Sequence, residues 1–119
     1  MQVRAARGAI VVAEDRKDLV HAASARLVQE LLGRNGLQVP DLVSIFFTAT
    51  PDLVSGFPAE GARTLPGIGA VPLLCAREID VAGAMARVIR VLIHFHDERP
   101  QSEIAHAYLD GAEALRDDL

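Results

Sequence analysis

The most regular stretch of the chain is residues 87–96, RVIRVLIHFH, where side chains alternate with the period of two expected of a strand. Val88, Arg90 and Leu92 fall on one face, and Ile89, Val91, Ile93 and Phe95 on the other. Arg90 therefore stands in mid-strand among aliphatic neighbours. A guanidinium cannot shed its charge when buried, so it needs a carboxylate or an anionic ligand. Glu78, just beyond a short apolar strand at 71–75, is the obvious carboxylate. Periodicity alone leaves a structural Arg90–Glu78 ion pair and a ligand site equally open.

The rest of the pattern supplies the other elements. Val3, Ala5, Arg7, Ala9 and Val11 alternate with Arg4, Ala6, Gly8, Ile10 and Val12, as in a strand with two largely apolar faces. Arg7 interrupts one of those faces, whereas Arg4 reads as a solvated strand terminus. Val20, Ala23, Leu27, Val28 and Leu31 recur at helical spacing, with Asp15 or Asp18 as N-cap and the GRNG of 33–36 as the stop; about five turns follow. His21 and the helix charges read as a solvated face. LVSIFFTAT at 42–50 is a second strong strand, stopped by Pro51. The Pro- and Gly-rich stretch after it keeps apolar anchors at Leu53, Val54 and Phe57 and a short helix at 59–65, the signature of a structured loop. His106, Tyr108 and Asp110 alternate with Ala105, Ala107 and Leu109 on a last strand.

The predicted order β, α, β, short α, β, β, β gives a mixed α/β or α+β sheet of about five strands and one long helix in a single domain over 1–119. One helix cannot cover both faces of such a sheet. The face carrying Arg7 and Arg90 must meet something else, most economically copies of itself in a ring.

Composition narrows the function. Aromatic residues are only 4% of the 119, the net charge is −4, and no basic run exists, which argues against nucleic acid. No apolar run reaches the roughly 20 residues of a membrane span, and the chain opens directly on a strand pattern. Cys75 is the single cysteine, so internal disulfides are excluded and a reducing, cytoplasmic setting is expected. His94 and His96 share a strand face, but no further ligands stand at supporting spacing, so a polar strand end is expected and a metal is not.

Several segments together resemble the monofunctional, trimeric chorismate mutases of the AroH type: RGAI at 7–10, TATPDL at 48–53, FPAEGAR at 57–63, VPLLCAREIDVAG at 71–83, RVIRVLIH at 87–94 and HAYLDGAEALRDDL at 106–119. The resemblance runs the whole chain in order. It implies a pseudo-α/β-barrel homotrimer with active sites between subunits, converting chorismate to prephenate without cofactor, metal or covalent intermediate. It also implies roles. Arg90 would meet the ether oxygen and a carboxylate, Arg7 and Tyr108 would bind carboxylate, and Glu78 with Cys75 would hold the ring hydroxyl. Leu73 and Leu74 would supply backbone and wall, Phe57 and Ala59 apolar wall, and Arg63 and Arg116 a charged entrance. Glu60 departs from relatives that place a lysine there.

Taken singly, Cys75 reads as a small buried hydrophobe and Tyr108 as a core residue with a wet hydroxyl. Two other functions suit the same architecture: an enamine/imine deaminase-like enzyme, which also sets an interface arginine against a carboxylate, and a non-catalytic module binding small anions. The second gains nothing from a carboxylate such as Glu78 beside its ligand.

Overall fold

The structure, a computed structural model, describes residues 2–118, with side chains through 115. Strand β1 (Val3–Val11) leads to helix α1 (Lys17–Asn35), β2 (Leu42–Ala49), the short helix α2 (Pro58–Ala62), β3 (Leu73–Arg77), β4 (Val88–His96) and β5 (Ala107–Leu109), with 3₁₀ turns between several of them. The five strands form one sheet in the order β3-β2-β4-β1-β5. The pairs β1–β4 and β2–β4 are antiparallel, whereas β2–β3 and β1–β5 are parallel. The expected mixed sheet with one long helix is therefore the fold.

Burial separates the two faces as the alternation demands. Ala6 and Ile10 of β1, Ile45 and Phe47 of β2, and Ile89, Val91, Ile93 and Phe95 of β4 are essentially inaccessible. They form one core with Val20, Leu27, Val28 and Leu31 of α1. The short α2 packs against α1 through Gly61, where an added Cβ would stand 2.3 Å from both the His21 carbonyl and Ser24 Oγ. Only a missing side chain permits that approach.

Several local expectations shift. The residue preceding α1 is Arg16, which makes no side-chain cap; Asp18 lies in the first turn instead. Asp15 accepts from the backbone N–H groups of Val54 and Ser55, pinning the loop before α2 to the start of α1. His21 is half-buried, not solvated, because α2 covers it, and its Nε2 lies 3.6 Å from Glu60 Oε2. Arg4 is likewise partly buried and donates to the Arg99 carbonyl. Strand β3 begins at Leu73, since Pro72 has no N–H to give and only its carbonyl joins the ladder, accepting from Ile45. Helix α2 starts at Pro58, a residue well suited to a first helical position, and relaxes into turns after Ala62. The last strand spans three residues, all buried, so His106 and Asp110 flank it.

Candidate active site

Opposite the helices, strand register lines up two rows of side chains. One runs Leu74–Phe46–Leu92–Arg7 and the next Ala76–Thr48–Arg90–Ala9–Tyr108. Leu74 is 62% exposed, Phe46 41% and Leu92 38%, so this is the apolar face that α1 and α2 leave open. One end is closed, by a small cluster of Ala9, Val88, Tyr108 and Ala112 with Met85 and Leu115 against it.

Arg90 and Arg7 occupy diagonal positions on neighbouring strands of this face, because Arg90 pairs with Ala9 and Arg7 with Leu92. Two like charges so placed repel each other and favour an anion between them. Arg90 Nε lies 3.1 Å from Glu78 Oε2, and the same oxygen accepts from Thr48 Oγ1 at 2.6 Å. The Glu78 side chain is 17% exposed and the Arg90 side chain 41%. Glu78 is thus largely enclosed while Arg90 still presents itself to the open face. Arg7, Phe46, Thr48, Arg90, Leu92 and Tyr108 all line a cavity of about 380 Å³, within the range of small-molecule sites.

The loop that joins Glu78 to Arg90 is tied at its far end. Arg87 adopts a left-handed φ of 53°, unusual for a residue with a side chain. Asp52 receives its backbone N–H at 2.9 Å, and Arg87 Nε donates to the Val12 carbonyl at 3.0 Å. Thr50 Oγ1 donates to Asp52 and accepts from Val88 N–H. The TATPD segment thereby fixes the chain two residues ahead of Arg90.

The remaining expected site residues lie elsewhere. Cys75 pairs with Phe47 on the helix-facing side of the edge strand β3, and its Sγ accepts from Ala59 N–H at 3.4 Å. Leu73 shares that side and packs on the core, and Ala59 is buried. Phe57 is 64% exposed just before α2, and Arg63 is exposed just after it. Phe57 and Cys75 line a second cavity, of about 480 Å³, with Pro51, Leu53 and Arg77. The side chain of Arg116 is outside the described residues. One chain therefore gathers Arg7, Glu78, Arg90 and Tyr108 on its open face, and sets Phe57, Ala59, Arg63, Leu73 and Cys75 around the β3 edge and α2. Leu74, between Leu73 and Cys75, points instead to the open face beside Phe46.

Sequence reasoning missed Thr48, Phe46 and Asp52. Alternation in 42–50 places Ser44, Phe46 and Thr48 together, but which sheet face they share is fixed only by pairing with β4.

A family model described as chorismate mutase type I matches residues 3–119. Among curated proteins, the chorismate mutase AroH of Thermus thermophilus is 47% identical over 118 residues, covering 98% of this chain and 96% of the relative. The chorismate mutase AroH of Bacillus subtilis (strain 168) is 35% identical over 119 residues, covering 100% of this chain and 94% of the relative. A solved chorismate mutase from Clostridium thermocellum superposes with a TM-score of 0.89 at 39% identity, over 92% of this chain and 97% of that one.

Proposed function

This chain belongs to the type I chorismate mutases, and from that premise we propose how its open sheet face carries out the Claisen rearrangement of chorismate to prephenate. The substrate has two carboxylates and a flexible enolpyruvyl arm, which must be held folded so that the bond-forming carbons meet. Arg7 and Tyr108 take the carboxylates and hold that conformer. As the carbon–oxygen bond breaks, negative charge grows on the ether oxygen. Arg90, fixed beside that oxygen, stabilises the transition state more than the ground state, and its planar fork also reaches a carboxylate. Glu78 orients Arg90 and faces the ring hydroxyl and the electron-poor ring.

The observation that carries this reading is Arg90, paired with Glu78 and standing with Arg7 in the lining of a 380 Å³ cavity on a largely apolar face. It favours a mutase over a deaminase-like enzyme or an anion-binding module, in line with the family.

In this reading the active enzyme is a homotrimer. The exposed Phe46, Leu74 and Leu92 would be covered by a second copy. That copy would bring its β3 edge and α2 to the cavity, adding Phe57, Ala59, Leu73, Leu74 and Cys75 as wall and ring-hydroxyl contact, with Arg63 and Arg116 at the mouth. Within one chain Arg7, Arg90 and Tyr108 line one cavity and Phe57 and Cys75 another, which supports this arrangement. A cytoplasmic location and a place in phenylalanine and tyrosine synthesis belong to the same reading, the first supported by the lone free Cys75. The test is an ultraviolet assay with purified protein and no added cofactor. Chorismate should disappear as prephenate forms, and binding without turnover would sink the mutase reading.

A further inference from the structure

Strand β5 pairs with β1 only from Gly8 to Ile10, so its backbone ladder stops one residue short of Arg7. A side chain continues it. The Arg7 backbone N–H donates to Nδ1 of His106 at 3.1 Å. A ring nitrogen that accepts must carry its lone pair, which puts the proton of the neutral imidazole on Nε2.

His106 is itself held from behind by the end of α1. Arg34 Nη1 donates to the His106 carbonyl at 2.9 Å. Asn35 brackets the preceding residue, accepting from Ala105 N–H at 2.8 Å and donating to its carbonyl at 2.9 Å. The Asn35 carbonyl accepts in turn from Arg99 at 2.8 Å. On the strand side, a Cβ on Gly8 would stand 2.6 Å from the Ala107 carbonyl, so β1 and β5 have no slack at this point.

We infer that His106 is a positioning residue for Arg7: the Nδ1 acceptor sets where the Arg7 peptide, and hence its guanidinium, stands relative to Tyr108 on the next strand. The inference rests on the reading of Arg7 as a carboxylate ligand. His106 acts through Arg7 and has no contact with substrate in this role. A histidine that merely completed the sheet would affect stability and leave substrate capture alone.

The test is steady-state kinetics with chorismate on the intact enzyme, using Arg7→Ala, His106→Leu, His106→Asn and the double variant Arg7→Ala with His106→Leu. The loss of one neutral hydrogen bond should raise KM by about 3- to 10-fold in His106→Leu, with kcat within about 2-fold. His106→Asn should recover most of the loss, since the amide oxygen can take the place of Nδ1. In the Arg7→Ala background, His106→Leu should add nothing further. With Arg7→Ala itself raising KM, the inference is overturned if His106→Leu leaves KM unchanged, if Asn is no better than Leu, or if the two losses multiply. An Arg7→Ala variant with normal KM would instead overturn the carboxylate reading and this inference with it. Should His106→Leu not fold, nitrogen NMR of the unmodified enzyme decides. A through-hydrogen-bond coupling between the Arg7 amide and His106 Nδ1 is expected, and its absence overturns the assignment.

Discussion

Glu78 Oε2 stands 3.1 Å from Arg90 Nε and at the same time accepts from Thr48 Oγ1. The contact joins the loop after β3 to the middle of β4, with the β2 threonine beneath it. A bridge whose purpose is the core would enclose both partners. Here the acid is mostly enclosed and the arginine is 41% exposed toward the cavity, which is the arrangement of a cation aimed in advance at its target.

Glu78→Ala should therefore leave the fold intact and depress turnover. Arg90 stays open to solvent once its partner is removed, so the loss should be no more than about 1 kcal/mol and the unfolding midpoint in denaturant should barely move. kcat should fall at least about 10-fold, on the scale of one positioned electrostatic group. Near-normal turnover with a large drop in stability would return the pair to a structural role.

Asp52→Ala should destabilise the protein by about 1–2 kcal/mol. The variant strips the Arg87 N–H and the Thr50 hydroxyl of their acceptor while Arg87 stays in its left-handed conformation. Because the same clamp ends the loop between Glu78 and Arg90, kcat should fall as well. Denaturant titration and kinetics on one preparation check both, and a change in neither contradicts the clamp.

The Asp97–Arg99 pair gives a pH dependence of stability. Hydrogen bonds from the Arg99 side chain and backbone, with its charge, hold the Asp97 carboxyl down from 3.8 to about 2. A lowered folded-state value stabilises the native protein above the unfolded value, and that contribution drains away as pH falls from about 4 to about 2. Asp97→Asn should be less stable than the parent at pH 7, and the gap should close across that window. Thermal melts at pH 7, 4 and 2 measure it, and a gap that widens on acidification contradicts the sign.

Much of this was legible in the sequence, for reasons tied to particular residues. Period two in 87–96 separated Ile89, Val91, Ile93 and Phe95 from Arg90 and Leu92, and the structure divides them the same way. Helical spacing from Val20 to Leu31 marked the buried face of α1. What escaped was long-range. Asp15 resembled a helix cap but serves a loop some 40 residues on, and Thr48 meets Glu78 only because β2 lies between β3 and β4. The His106 contact with Arg7 joins opposite ends of the chain, and no local pattern can announce such a pairing. The fifth strand is shorter than alternation predicts, because the alternation continues past Leu109 while the backbone turns left-handed at Asp110 with φ 53°.

The uncovered face carries a prediction about assembly. Exposed Phe46, Leu74 and Leu92 in one row should be buried between copies. Sedimentation equilibrium at micromolar concentration should give a trimer. A folded monomer under those conditions contradicts the proposed completion of the site by a neighbouring chain.

The central claim is that Arg90 acts on the charge that develops at the ether oxygen, whereas Arg63, exposed beyond α2, acts on substrate capture. Steady-state kinetics of Arg90→Lys beside Arg63→Ala, run at low and high salt, tests it most directly. A lysine keeps the charge but not the fork, so kcat for Arg90→Lys should drop by roughly 10²–10³-fold at either salt concentration. Arg63→Ala should mainly raise KM, and more at low salt, where the net charge of −4 opposes a dianion's approach. Equal losses of kcat in the two variants would contradict the account, for they would mean that Arg90 is not the arginine that meets the transition state.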